Sequence, residues 1–478
     1  MSKQNLAKNT FFFTSALATQ KALSFVYFIF VARAIGVDSL GKFSFALGFS
    51  AVFAMLLDFG LAQMLIRSSA RKKEESQKYL SNVLFLKFFG AFVVYGLVIL
   101  TINLMGYPEL TKKLVYITGV IMVLDSFTLS FYSVLRGMQN LAYESIGVVV
   151  NQFIVLVAGL LVIKFDLGLI ILISVYLLGS LFNFIYSSTI LKIKYGITSK
   201  LIFEKEVVKS MLKIALPFAI AGLFIRIYSY MDIILLSKLT DDTSVGIYSV
   251  AYKAAFALQF IGVAFSAAMY PAFCKYFVSS HKLLAKSFEK SIHYLMIIAL
   301  PLSIGVITIA DKVIGPVFGY EYNDSVLPLQ VLMVSLILVF LAFPVGAMLN
   351  AGNRQTRNTI HLGIVAVFNI IANLILIPLY GYVGSAIAAL LSYVLLFSLG
   401  MFVIETIIKY NKKYLLLSFF KILLSSLVMG FLILIVKDYI NFIITIIFGA
   451  TSYLIVLYLV GGVHKDDIFQ LKDLILKK

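Results

Sequence analysis

Tryptophan is absent, cysteine occurs once and histidine four times in 478 residues. The single Cys274 excludes an intrachain disulfide and a thiolate-rich metal site. His281, His293, His361 and His464 have no ligand spacing among them, so no metal is expected. Charge is scarce as well. Asp, Glu, Lys and Arg make up 13% of the chain, about half the share in an ordinary soluble domain. Acid is scarcer than base, 22 residues against 40, which leaves a net charge of +18. Nucleic-acid binding would gather those bases on a polar surface. Here they lie in short stretches between apolar runs, a pattern that suits an anionic membrane surface and makes nucleic acid an unexpected partner.

Apolar residues are what the chain has in abundance, 61% of the total, with a mean hydropathy of +1.01. That excess needs lipid as solvent. Spans are expected at 11–34, 42–66, 80–106, 112–136, 146–165, 168–191, 212–237, 246–274, 288–311, 326–350, 359–377, 383–408, 415–436 and 440–462. Each is long enough for the roughly 30 Å of hydrocarbon at about 1.5 Å per residue. The divider Lys164-Phe165-Asp166 is the shortest. The first run contains Lys21 and lacks a small-residue cleavage site after it, so it reads as a span and not as a signal peptide.

With the N-terminus placed in the cytoplasm, most Lys and Arg fall on the inner side. Arg67 to Lys73 and Lys192 to Lys213 are the strongest inner loops, while outer loops carry Asp38, Glu109, Asp166, Asp241, Asp242, Glu321 and Asp324. Both termini are therefore expected in the cytoplasm. Apolar and charged residues alternate at helical spacing from Lys200 to Lys213, which predicts an amphipathic helix on the inner surface or a solvated charged helix. The tail from Asp466 to Lys478 reads the same way.

An internal repeat is visible. Asp38-Ser39-Leu40-Gly41-Lys42-Phe43-Ser44-Phe45-Ala46 aligns with Thr243-Ser244-Val245-Gly246-Ile247-Tyr248-Ser249-Val250-Ala251 at an offset of 205. The same offset lays Lys21 over Arg226. Farther on, Leu135-Arg136-Gly137 sits near Asn350-Ala351-Gly352. Six spans on each side of the 200–213 segment, in one orientation, imply parallel repeats about an axis along the membrane normal. The expected fold is thus an all-α polytopic membrane protein of about 14 transmembrane helices: two six-helix lobes related by a pseudo-two-fold, plus two C-terminal helices. The expected divisions are 1–198, a linker helix at 199–211, 212–411, and 412–478 with a cytoplasmic tail.

An ionisable side chain at bilayer depth is expensive and tends to face a cavity or a partner. Lys21, Asp58, Lys87, Asp125, Arg226, Asp232 and Lys253 qualify. Lys21 and Arg226 are near mid-span in equivalent halves, and a Lys with an Arg suits a phosphate or diphosphate. The competing reading pairs each cation with Asp58, Asp125 or Asp232 to hold the bundle together. Lys87 can snorkel to the inner surface and Lys253 to the outer. Asp125 is a proton or cation site or a cation's partner. Asn369 and Asn373 share a helix face and suit interhelical hydrogen bonding. Pro217, Pro271, Pro301 and Pro344 are candidate kinks. Two motif matches fail. Gly36 to Lys42 mimics a phosphate-binding loop but continues with Phe43 and has no preceding strand, and Asp58-Phe59-Gly60 sits in an apolar span without a catalytic loop. No nucleotide site is expected.

Several segments together carry a family resemblance. They are Ala32-Arg33-Ala34-Ile35-Gly36 through Leu40-Gly41-Lys42-Phe43-Ser44-Phe45-Ala46, Asp58-Phe59-Gly60-Leu61, Met231-Asp232-Ile233-Ile234-Leu235-Leu236, Val245 to Ala251, and Gly381-Tyr382-Val383-Gly384-Ser385-Ala386-Ile387-Ala388. Over almost its whole length the chain resembles the Wzx-like flippases for lipid-linked oligosaccharides, of the multidrug/oligosaccharidyl-lipid/polysaccharide exporter superfamily. The resemblance implies alternating access between two lobes in the cell membrane. It implies an undecaprenyl- or dolichyl-diphosphate-linked glycan as substrate, for assembly of O-antigen, exopolysaccharide or another surface glycan, with a glycan polymerase or ligase as a possible partner beside membrane lipids. Cavity cations of such proteins hold the diphosphate and sugar acids; the matching positions are Lys21 and Arg226, then Lys253. It implies no cofactor and a driving force from a proton or sodium gradient or the membrane potential, with Asp125 or Asp232 as coupling candidates. Mid-span arginines are fewer than in the peptidoglycan-precursor flippases of the superfamily, which argues against that substrate. An ion-coupled multidrug antiporter of the same fold is the alternative, and it would want an acidic cavity. A membrane enzyme would want a large outer loop with paired acid and base, and 311–325 is too short, so no catalytic residues are expected.

Overall fold

A computed structural model describes the backbone of residues 3–463 and the side chains of 12–463. The tail from Asp466 and the position of His464 lie outside the described residues. The described residues are almost all helical, and no strand occurs among them. In order the helices are α1 (Lys3–Asp58), α2 (Leu61–Arg71), α3 (Ser76–Leu104), α4 (Glu109–Gly137), α5 (Ala142–Lys164), α6 (Leu169–Tyr195), α7 (Lys205–Leu239) and α8 (Asp242–Phe256). They continue as α9 (Phe260–Ser279), α10 (His281–Thr308), α11 (Ala310–Phe318), α12 (Val326–Ala351), α13 (Gln355–Ile404), α14 (Lys412–Val436) and α15 (Phe442–Leu459). An all-helical chain is what lipid demands, because each backbone N–H and C=O must be paired within its own segment.

Among the described residues, 12 helical stretches are long and apolar enough to cross a membrane. Two of them are twice the needed length. The stretch Phe12–Asp58 has 47 residues and Gln355–Ile404 has 50, roughly 70 and 75 Å at the α-helical rise. Each is broken once, at Gly36 (φ 74°) and at Gly381 (φ 56°). Such backbone is available to glycine without the penalty other residues bear. Counting each as two crossings raises the 12 stretches to the 14 expected. The fold is the all-α polytopic membrane class.

Four details differ from expectation. The second span is interrupted at 59–60, where α1 ends and α2 begins, and the eighth is divided into α8 and α9. The outer segment 311–325 is a short helix followed by a 3-10 turn, Tyr320–Ser325, and not an open loop. The separate surface helix expected over 200–213 is corrected. Residues 196–204 are irregular, and Lys205 opens a single 35-residue helix that runs on to Leu239. Side chains of α3 draw the chain out of helix there. The Gln77 amide bonds both the N–H and the carbonyl of Thr198 (2.7 and 2.8 Å), and Asn82 Oδ1 accepts the Glu204 N–H (2.7 Å). Lys78 pairs with Glu204 (2.6 Å), and the Phe203 ring rests on Phe85.

The chain forms two compact units, Met1–Ser249 with Ile370–Tyr382, and Val250–Asn369 with Val383–Lys478. In the first, Leu61, Met64, Leu65, Leu84, Phe131 and Met211 belong to one core drawn from α2, α3, α4 and α7. The opposite face of α3 carries Phe88, Phe89, Phe92 and Val93, all exposed, an apolar stripe that water would not tolerate and lipid solvates. In the second unit, neighbouring residues of opposite sign pair crosswise. Lys437 reaches Asp311 (3.0 Å) and Lys312 reaches Asp438 (2.8 Å), tying the α14–α15 turn to α11.

Candidate substrate cavity

The first unit has a half-open cavity of 530 Å³ between α1, α2, α4 and α7. Its lining along α4 runs from Thr118 to Arg136, about 27 Å of helix. Most of the wall is apolar. Among its polar members are Asp58, Gln63, Asp125, Ser126, Arg136 and Arg226.

Two of the charges in this wall are neutralised by fixed partners. The Lys87 ammonium, 1% exposed, donates to Asp58 Oδ1 and to the Ser126 carbonyl, both at 2.8 Å. Lys87 therefore does not snorkel; it joins α3 to α1 and α4. Arg136 makes a two-pronged bond to Glu144, with Nε to Oε2 at 2.7 Å and Nη2 to Oε1. A fork of this kind fixes the guanidinium plane. Glu144 itself is 2% exposed, so the pair also closes the α4–α5 turn.

The other two charges are not neutralised in this way. Arg226 projects from α7 into the cavity, beside Tyr230 one turn on, with its guanidinium 5.8 Å from that ring centroid. Such a cation–π contact orients the group without discharging it. Asp125 accepts a bond from Ser180 Oγ at 2.6 Å. Among the described residues no acid pairs with Arg226 and no cation with Asp125. Nearby, Ser126 Oγ is buried without a hydrogen-bond partner.

Within the first unit, the turns around Gly41 and Gly246 meet in a reciprocal contact. A Cβ on Gly41 would overlap the carbonyl oxygen of Asp242, and a Cβ on Gly246 would overlap that of Val37. The repeat offset of 205 carries Gly41 to Gly246 and Val37 to Asp242, so the two contacts are images of each other. A two-fold axis produces that pattern. The Lys42 ammonium adds a bridge to Asp38 and, at 3.3 Å, to Asp242.

The remaining expected site residues are placed as follows. Lys21 is exposed on the first arm of α1 and is not among the residues lining this cavity. Asp232 is 4% exposed and accepts from the Tyr248 hydroxyl (2.9 Å) and from Asn373 Nδ2 (2.8 Å), an interhelical role for Asn373. Asn369 donates to Ser392 Oγ (3.3 Å). Lys253 is half-buried on α8 in the second unit. So the cavity brings together Asp58, Asp125 and Arg226. Sequence reasoning missed the Arg136–Glu144 pair. The signal was an arginine ending one apolar run and a glutamate opening the next, eight residues on, which a hairpin of helices brings face to face.

Comparison with known proteins follows the same lines. The profile of a family described as "Polysaccharide biosynthesis protein" matches residues 6–277, more than half of the chain. An uncharacterized membrane protein of Methanocaldococcus jannaschii is 25% identical, with 95% of each chain covered. The "Probable low-salt glycan biosynthesis flippase Agl15" of Haloferax volcanii is 23% identical, over 78% of this chain and 77% of its own. Among solved structures, "Lipid II flippase MurJ, inward closed conformation" superposes with a TM-score of 0.79 at 20% identity, covering 97% of this chain and 99% of its own. An inward-facing multidrug resistance MATE transporter of the MOP superfamily gives a TM-score of 0.63 at 15% identity, covering 81% and 95%. At these identities the structures establish a shared fold.

Proposed function

Because the chain belongs to the polysaccharide biosynthesis protein family, we propose that it is a flippase that carries a polyprenyl-diphosphate-linked glycan from the cytoplasmic to the outer leaflet for surface glycan assembly. The observation that carries this reading is Arg226: a cation inside an apolar helix, facing a cavity, with no acid among the described residues to discharge it. A group held so at membrane depth is expensive unless a ligand compensates it. A diphosphate does so with two acceptor oxygens matched to the guanidinium fork.

In this mechanism the six-helix lobes, 1–198 and 212–411, alternate about the pseudo-two-fold. Positive-inside orientation makes the Gly41–Gly246 end the outer one, so the headgroup enters from the cytoplasmic end toward Arg136 and meets Arg226. Rocking parts the glycine contact and releases the headgroup outward, while the polyprenyl chain stays in lipid. The chain's own groups bind and exclude water; no bond is made or broken, so the activity is transport and not catalysis. An ion gradient or the membrane potential supplies the direction, and Lys21 and Lys253 remain candidates for further headgroup contacts. A multidrug antiporter of the same fold would present unpaired acid without an unpaired cation, and this cavity holds one of each.

The test is reconstitution in liposomes with a labelled polyprenyl-diphosphate oligosaccharide. Movement between leaflets by the wild type, lost in Arg226→Ala, is expected. Movement unchanged by the substitution would remove Arg226 from the site. No movement, with proton and sodium gradients imposed, would overturn the reading and favour uptake of organic cations, measured next.

A further inference from the structure

The charges of the cavity allow a narrower statement about the glycan. Of the two cations in its wall, Arg136 is held bidentately by Glu144, and the Lys87 ammonium behind the wall is consumed by Asp58. Among the described residues of this wall, Arg226 alone is left for an anion, and Asp125 is left without a cation. One uncompensated cation answers to one diphosphate. A second acidic group on the headgroup would find no positive partner in this wall, and it would face the Asp125 carboxylate in a low-dielectric space, where like charges repel strongly. The volume of 530 Å³ is that of a small-molecule site, within about 300–1,000 Å³, so the part enclosed is the diphosphate with the sugar next to it.

We infer that Asp125 is a specificity-determining residue: with Ser126 and Gln63 it receives the hydroxyl or amide groups of a neutral or amino sugar next to the diphosphate, and it rejects a uronic acid there. The chemistry agrees with the unused hydrogen-bonding capacity. An ionised carboxylate accepts several donors, and among the described residues only Ser180 bonds Asp125. Ser126, next in sequence, lines the same cavity, and its Oγ, just beneath the surface, has no hydrogen-bond partner. A sugar edge supplies both donors and acceptors, and a site built to bond a hydroxyl discriminates far more sharply than an apolar one. This inference rests on the flippase reading above.

Two synthetic donors sharing one polyprenyl diphosphate test it, one bearing an N-acetylhexosamine and the other a hexuronic acid. Wild-type protein in liposomes is expected to move the neutral donor faster by on the order of tenfold or more. Asp125→Asn, close to isosteric, is expected to speed the acidic donor and slow the neutral one, closing the gap. Ser180→Ala keeps the carboxylate and should keep the discrimination. Equal rates for both donors in the wild type, or a gap that survives Asp125→Asn, overturns the inference and leaves the flippase reading standing. Movement of neither donor overturns the flippase reading and the inference with it.

Discussion

Lys87 and Arg226 are both cations set in apolar helices, and they have opposite surroundings. Lys87 is 1% exposed, with a carboxylate and a carbonyl at 2.8 Å. Arg226 is exposed to a cavity, with a tyrosine ring as its neighbour. The first charge is complete without a ligand; the second is not. Position along a helix does not distinguish the two roles, since both lie between apolar residues. What distinguishes them is whether the fold supplies the counter-charge.

The comparison is broken most forcefully at Lys87. Lys87→Met leaves Asp58 buried and unpaired, and removing one partner of a buried pair costs about 3–5 kcal/mol. The substitution should lower the unfolding midpoint in detergent more than any other named here. Lys87→Met combined with Asp58→Leu should recover most of the loss, because replacing both partners by apolar groups is often close to neutral. Failure of the double variant to recover would mean that Asp58 is needed for something other than pairing.

The reciprocal glycines come next. Gly41→Ala forces a methyl against the Asp242 carbonyl, and overpacking of this kind costs about 1–3 kcal/mol, charged here to the closed arrangement of the two turns. Gly246→Ala should match it, since the two contacts are images. The readout is thiol labelling of cysteines placed at Ser39 and Ser244, whose accessibility should rise equally in either variant. An effect of Gly41→Ala without one of Gly246→Ala would contradict the two-fold relation.

Much of this was legible in the sequence because lipid imposes simple rules. Span length and the loop charges gave the helices, and the Gly41 and Gly246 segments gave the repeat. The breaks at 59–60 and 257–259 were not legible, because hydropathy runs through them unchanged and only packing decides where a long apolar helix must bend. The irregular strap at 196–204 was hidden for a related reason. Its charges have helical spacing, but Gln77 and Asn82, more than 120 residues away, compete for its backbone. At the site, the list of buried ionisable residues was readable and their pairing was not. Lys87 and Asp58 are 29 positions apart, and no local pattern joins them.

The smallest effect on stability is expected at Arg226, and it sharpens the comparison most. Arg226→Gln removes a charge that has no acid to abandon, so the unfolding midpoint should shift by no more than about 0.5 kcal/mol. Translocation should nonetheless fall roughly tenfold to a hundredfold, since a hydrogen bond to a charged group contributes about 1.5–3 kcal/mol. Arg226→Lys should restore part of it, because a point charge still attracts the diphosphate but cannot bind it with two parallel N–H groups. The two readouts must separate for Arg226 and move together for Lys87. A large stability loss in Arg226→Gln would place it with Lys87 among the charges that hold helices together, and the cavity would then contain no cation free to meet a headgroup.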